Sequence, residues 1–176
     1  MAHWRRVYEG HAQGGESEMP MDSTLDRFGL PQERFDLDSR LTELIRCRPW
    51  IEGLADHLGL SERDRFAIHL CMEEALSNVI LHGYGGEPGH PIVVRARALA
   101  GTLSIAIDDQ ALPFSPIDSY AFSQTIETKP ASLESVTPGG NGIRLLHRFA
   151  GSLSYERLSD GNRLTIEFPV HLPTSQ

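Results

Sequence analysis

From Ser39 to Leu58, apolar residues recur at Leu41, Leu44, Ile45, Ile51, Leu54 and Leu58, a spacing that puts them on one helical face. Pro49 lies inside that pattern, where its ring and missing N–H kink the helix or split it in two. Gly59 supplies a stop, and Ser61 followed three residues later by Asp64 marks the capped start of a second helix. That helix carries Glu73-Glu74-Ala75-Leu76-Ser77-Asn78 and has a fitting end at Gly83. Elsewhere the period shortens to two. Glu33 to Leu37, Ile92 to Leu99, Leu103 to Ile107, Leu153 to Leu158 and Arg163 to Val170 read as strands. Ala100-Gly101 turns the second and third of these into a hairpin. Ser159-Asp160-Gly161-Asn162 joins the last two, its Asp-Gly suiting a type I′ turn. A short helix from Asn141 to Phe149 completes the set. The order predicts an α+β fold, a two-layer sandwich with helices on one face of a mixed, mostly antiparallel sheet.

Two segments show neither period. Met1 to about Leu30 is polar and Gly-rich, which predicts a mobile tail ahead of a single domain spanning 31–176. Asp108 to Gly140 is long and rich in Pro, Ser and Thr, the character of a lid or binding loop. A chain of 176 residues with 40% hydrophobic content has enough apolar material for one core. The 16 basic against 24 acidic side chains, a formal charge of -8, argue against a nucleic-acid surface as the main role. No apolar run approaches the roughly 20 residues of a membrane span, and the N-terminus lacks an apolar secretory core, so a cytoplasmic protein with no membrane partner is expected. Cys47 and Cys71 match no zinc or redox spacing and read as reduced packing residues. His69 and Cys71, two apart, do not face each other on a helix and make no metal pair.

Candidate chemistry begins on the second helix. Stepping about 100° per residue from Glu74, the residues Asn78, Ala67, Leu70, Cys71 and Leu81 fall within about 60° of it, whereas Glu73 points away toward solvent. Glu74 and Asn78 therefore lie inside an apolar stripe, one turn apart. A buried, unpaired carboxylate costs several kcal/mol, so a metal, a ligand or an internal hydrogen-bond network has to satisfy the pair. Asp108-Asp109-Gln110-Ala111-Leu112-Pro113-Phe114 follows directly on a strand, so its carboxylates emerge at a strand end, either to hold a ligand or to make an Asp-rich turn. Pro138-Gly139-Gly140-Asn141-Gly142-Ile143 opens a helix. Glycines there let the backbone approach a phosphate, and free N–H groups favour negative charge.

Taken together these segments resemble a known family. Glu74-Ala75-Leu76-Ser77-Asn78 with His82-Gly83-Tyr84 is similar to the N box of GHKL ATPases, in particular the anti-sigma factor serine/threonine kinases of bacterial partner-switching systems. Asp109-Gln110-Ala111-Leu112-Pro113-Phe114 resembles the G1 box, and Gly140-Asn141-Gly142-Ile143-Arg144-Leu145-Leu146 the G2 box. Gly161-Asn162-Arg163-Leu164-Thr165-Ile166 resembles the closing hairpin. The likeness runs from about Glu33 to Phe168, and three boxes in order are far more specific than any one. It implies a GHKL-type domain that binds Mg-ATP. Asn78 would coordinate Mg²⁺, Glu74 would orient or deprotonate the attacking hydroxyl, and Asp109 would accept the adenine amino group. Gly140 and Gly142 would cradle phosphates, with about Ser115 to Pro138 as nucleotide lid. The implied activity is phosphorylation of a STAS-type anti-sigma antagonist, with a sigma factor as a further candidate partner. The first-helix surface is a candidate face for a partner or a homodimer. The alternative is a non-catalytic, nucleotide-responsive binding module. The family pattern has Gly where Ala111 stands; Ala there either narrows the pocket or is harmless at negative φ. Little more than one helix precedes the N box, so the helical hairpin of a sensor histidine kinase is not expected.

Overall fold

The computed structural model describes residues 22–25, 31–99, 101–113, 115 and 141–170. Six strands, β1 (Asp22–Leu25), β2 (Pro31–Asp38), β3 (Pro91–Leu99), β4 (Thr102–Asp109), β5 (Ser152–Arg157) and β6 (Asn162–Pro169), form one sheet in the order β1-β2-β3-β4-β6-β5. All five pairings are antiparallel, so the mixed character expected of the sheet is not found among the described strands. Over the strands packs a helical layer of α1 (Leu44–Leu58), α2 (Glu62–Asn78) and α3 (Asn141–Phe149).

Strand alternation sends Ile92, Val94 and Ala96, then Leu103, Ile105 and Ile107, then Leu164, Ile166 and Phe168 into one core with Ile51, Leu54, Ile68, Met72, Leu76 and Leu146 of the helices. Each of these side chains larger than alanine contributes about 1.5–3 kcal/mol by leaving water. Trp50 is also buried and stacks on Phe35 with centroids 5.4 Å apart. Burial pushes the thiols of Cys47 and Cys71 up to about 12, which makes them packing residues.

Pro49 does not split its helix: α1 runs unbroken through it, preceded by a 3-10 turn at Leu41–Glu43. The carbonyl that Pro49 leaves without an i+4 donor belongs to Ile45, a residue 79% exposed, where water can serve it. Gly59 ends α1 in the left-handed region at φ 63, and Ser61 caps α2 by accepting from the Asp64 N–H at 3.2 Å. Past Asn78 the helix widens into a π-turn, Val79–Gly83, closed by the Tyr84 N–H on the Val79 carbonyl at 2.9 Å. The wider turn breaks the 100° stepping, and Leu81, expected on the apolar stripe, is exposed.

Two further expectations change. Within the segment read as a tail, Asp22–Leu25 pairs with β2 as an edge strand. The β5–β6 connection is a four-residue loop, not a type I′ turn, because Arg157 pairs with Asn162 and Gly161 does not have positive φ.

Candidate functional site

The C-terminal half of α2 is the spine of the site. Glu73 is exposed and Glu74 half-buried, as their places on the helix require. Glu74 faces α3 so closely that a Cβ on Gly142 would lie 2.0 Å from its Oε2. A side chain at Gly142 would force this carboxylate to swing aside. One turn later Asn78 is half-buried, and its Nδ2 is buried with no hydrogen-bond partner among the described residues. A buried amide group left unpaired costs about 1–3 kcal/mol, so the position suits a bound group that satisfies it.

At the far end of this half-helix, Gly83 meets the segment after β4. A Cβ on Gly83 would stand 2.8 Å from the Ala111 Cβ, so the glycine makes room for the alanine. Ala111 is buried with its methyl against the helix end. Tyr84 ties the same two segments, its hydroxyl accepting from the Gln110 N–H at 2.7 Å and donating to the Pro91 carbonyl at 3.0 Å.

β4 separates the two adjacent aspartates by parity. Asp108 lies on the sheet face away from the core, held by Arg163 at 2.6 and 2.8 Å and by Arg95, so it is an ion-pair anchor and not a strand-end ligand. Asp109 ends the buried row, 8% exposed. Its Oδ1 accepts from the Ala111 N–H at 2.8 Å and from Asn162 Nδ2 at 2.7 Å. Burial raises its pKa, against the lowering effect of those two bonds. The loop ahead of β6 closes in behind: a Cβ on Gly161 would be 2.0 Å from the Asp109 carbonyl oxygen.

Gly142 is thus brought against Glu74, one turn from Asn78, and Asp109 stands in the segment whose Ala111 packs on Gly83 at the other end of the same helix. Gly140 and the expected lid, beyond Ser115, lie outside the described residues. Three residues given no role from the sequence also stand around Asp109 and Ala111: Tyr84, named only within the N-box resemblance, Asn162, named only within the closing hairpin, and Arg157, read only as a strand residue. An unpaired amide, a glycine pressed against a carboxylate and a buried acceptor fit an ATP-shaped ligand.

The histidine kinase-like ATPase domain family matches residues 37–168. The serine/threonine-protein kinase BtrW of Bordetella bronchiseptica is 34% identical over 119 residues, covering 66% of this chain and 79% of that protein. Among solved structures, the mycobacterial sensor histidine kinase MprB superposes with TM-score 0.44 at 16% identity, covering 80% of this chain and 99% of that one. The histidine kinase domain of the Erythrobacter litoralis EL346 blue-light activated histidine kinase superposes with TM-score 0.43 at 16% identity, over 74% of this chain and 60% of that chain. No helix among the described residues is long and apolar enough to cross a membrane. With the three boxes in order, the match across most of the domain and a kinase-named relative, the chain belongs to the histidine kinase-like ATPase domain family, the GHKL ATPases.

Proposed function

We propose that the protein is an anti-sigma-factor-type serine/threonine kinase that transfers the γ-phosphoryl group of ATP to a serine or threonine of a STAS-type anti-sigma antagonist in the cytoplasm. The observation that carries this reading is the approach of Gly142 to Glu74, which sets a glycine-opened helix start against a carboxylate one turn from Asn78. Asn78 would hold Mg²⁺ through its amide oxygen, and the bound ion supplies charge neutralisation on the phosphates. Backbone N–H groups at the start of α3 would receive phosphate oxygens. Glu74 would accept the proton of the acceptor hydroxyl as that oxygen bonds to the γ-phosphorus and the bond to ADP breaks. Asp109, as an acceptor, would take the adenine amino group. A sigma factor is a second candidate partner.

Ala111 is the feature that favours the alternative, a binding module without transfer. Its methyl faces Gly83 in a space the glycine provides, which supports the kinase reading instead.

Single-turnover transfer from labelled ATP to a cognate STAS protein tests the assignment. Glu74→Gln should keep Mg-ATP affinity within a few fold and slow transfer by about 10²-fold or more. Asn78→Ala should abolish Mg²⁺-dependent binding in calorimetry while the circular dichroism spectrum stays native. Native-like transfer by the Glu74 variant removes its catalytic role, and no transfer by the native protein favours the binding module.

A further inference from the structure

We propose that Asn162, seated by Arg157 and Tyr155, is the positioning residue that fixes Asp109 and sets the preference of the site for a 6-aminopurine. The inference rests on the ATP-binding reading above and extends it to residues of the last hairpin. Asp109 and Asn162 are direct cross-strand partners at the end of the buried row, and Asn162 is 3% exposed. Its Oδ1 accepts from the Tyr155 hydroxyl at 2.6 Å and from Arg157 Nη1 at 2.7 Å. A guanidinium can only donate, so the amide is held with its oxygen toward Arg157 and its nitrogen toward Asp109. From there Nδ2 donates to Asp109 Oδ1 at 2.7 Å and to the Ala111 carbonyl at 3.1 Å, and Arg157 Nη1 reaches that same carbonyl at 3.1 Å.

One amide therefore ties the carboxylate to the two-residue span that follows it. With Oδ1 occupied by Asn162 and by the Ala111 N–H, rotation of the carboxylate would break both bonds. Oδ2 is left as the fixed acceptor for a ligand edge. An ionised carboxylate accepts only, so the matching edge must donate, as a 6-amino group does and a 6-oxo group does not. If the amide were absent, the carboxylate would turn, and the cost would fall on the amino group and not on the phosphates.

That selectivity supplies the test. Calorimetry measures the affinity ratio between ATP and purine riboside triphosphate, which lacks only the 6-amino group, for the native protein and for Asn162→Ala. The native ratio should be about 10-fold or more, the size of one hydrogen bond to a charged group. In Asn162→Ala it should fall toward one, with affinity for the deamino analogue kept within about three-fold. A native ratio near one overturns the adenine assignment of Asp109 and this inference with it. A native ratio that survives unchanged in Asn162→Ala overturns the positioning role and leaves the ATP-binding reading standing. Should Asn162→Ala fail to fold, Arg157→Ala, at an exposed position, carries the same test: the ratio should drop at least three-fold, and an unchanged ratio overturns the inference.

Discussion

Asp109 stands under two opposed demands. Burial favours its neutral form, while the donors around Oδ1 and the proposed adenine amino group require the carboxylate. Its pKa is raised from 3.8 in the folded chain, so the contribution of this group to stability is complete only below that value and is lost as the pH rises through the folded pKa. At neutral pH the charge therefore costs stability in the ligand-free protein. Asp109→Asn should leave the thermal midpoint unchanged or higher, yet weaken ATP by about 1.5–3 kcal/mol, and paired melts and calorimetry decide it. For the native protein, ATP should lose affinity relative to the deamino analogue on acidification at a pH above 3.8, because only ATP needs the Asp109 carboxylate as an acceptor. The residue types of this site were legible in the sequence because Glu74, Asn78 and Asp109 each sit in a recognisable box. Asn162 was not. Its role comes from a cross-strand partner 53 positions away, and nothing local in Gly161-Asn162 distinguishes it from a turn.

At the level of elements, helices and strands follow the periods that announced them, and the deviations have local causes. The π-turn displaced Leu81 because one extra residue per turn is invisible to a fixed 100° step. Gly83 reads from the sequence as a helix stop and Gly161 as a turn glycine, but neither has positive φ; both are glycines because Ala111 and the Asp109 carbonyl press against them. Spacing alone cannot reveal a requirement set by a distant segment. The Gly83–Ala111 contact gives a sharp expectation. Gly83→Ala should destabilise the protein by about 1–3 kcal/mol through overpacking and weaken ATP, and adding Ala111→Gly should restore most of both. A double-mutant cycle in denaturant measures the coupling. Additivity of the two changes would mean that the methyl does not fill the space the glycine leaves.

Across the whole molecule, the strands and loops are joined by carboxylates at their ends. Asp38 accepts from the Gly89 N–H at 2.6 Å, and Ser39 bonds the Glu87 carbonyl and the His90 N–H, which ties the loop after α2 to β2. The pKa of Asp38 is lowered, chiefly by the Gly89 N–H, and that of Glu52 chiefly by its bond to His69. For lowered carboxylates the stability is present above the unfolded values of 3.8 and 4.5 and is lost as the pH falls through the folded ones. Acid unfolding should therefore steepen below those values, and Asp38→Asn should flatten part of the slope in denaturant melts at successive pH. The adjacent aspartates of β4 carry a different consequence. Asp108 is clamped outside by Arg95 and Arg163 while Asp109 faces inward, so a one-residue slip of β4 would bury Asp108 away from both arginines and turn its apolar row to water. Misregistered chains are thereby driven out of the folded population: the ion pairs proofread the hairpin, and every molecule that passes presents Asp109 on the buried side of the sheet.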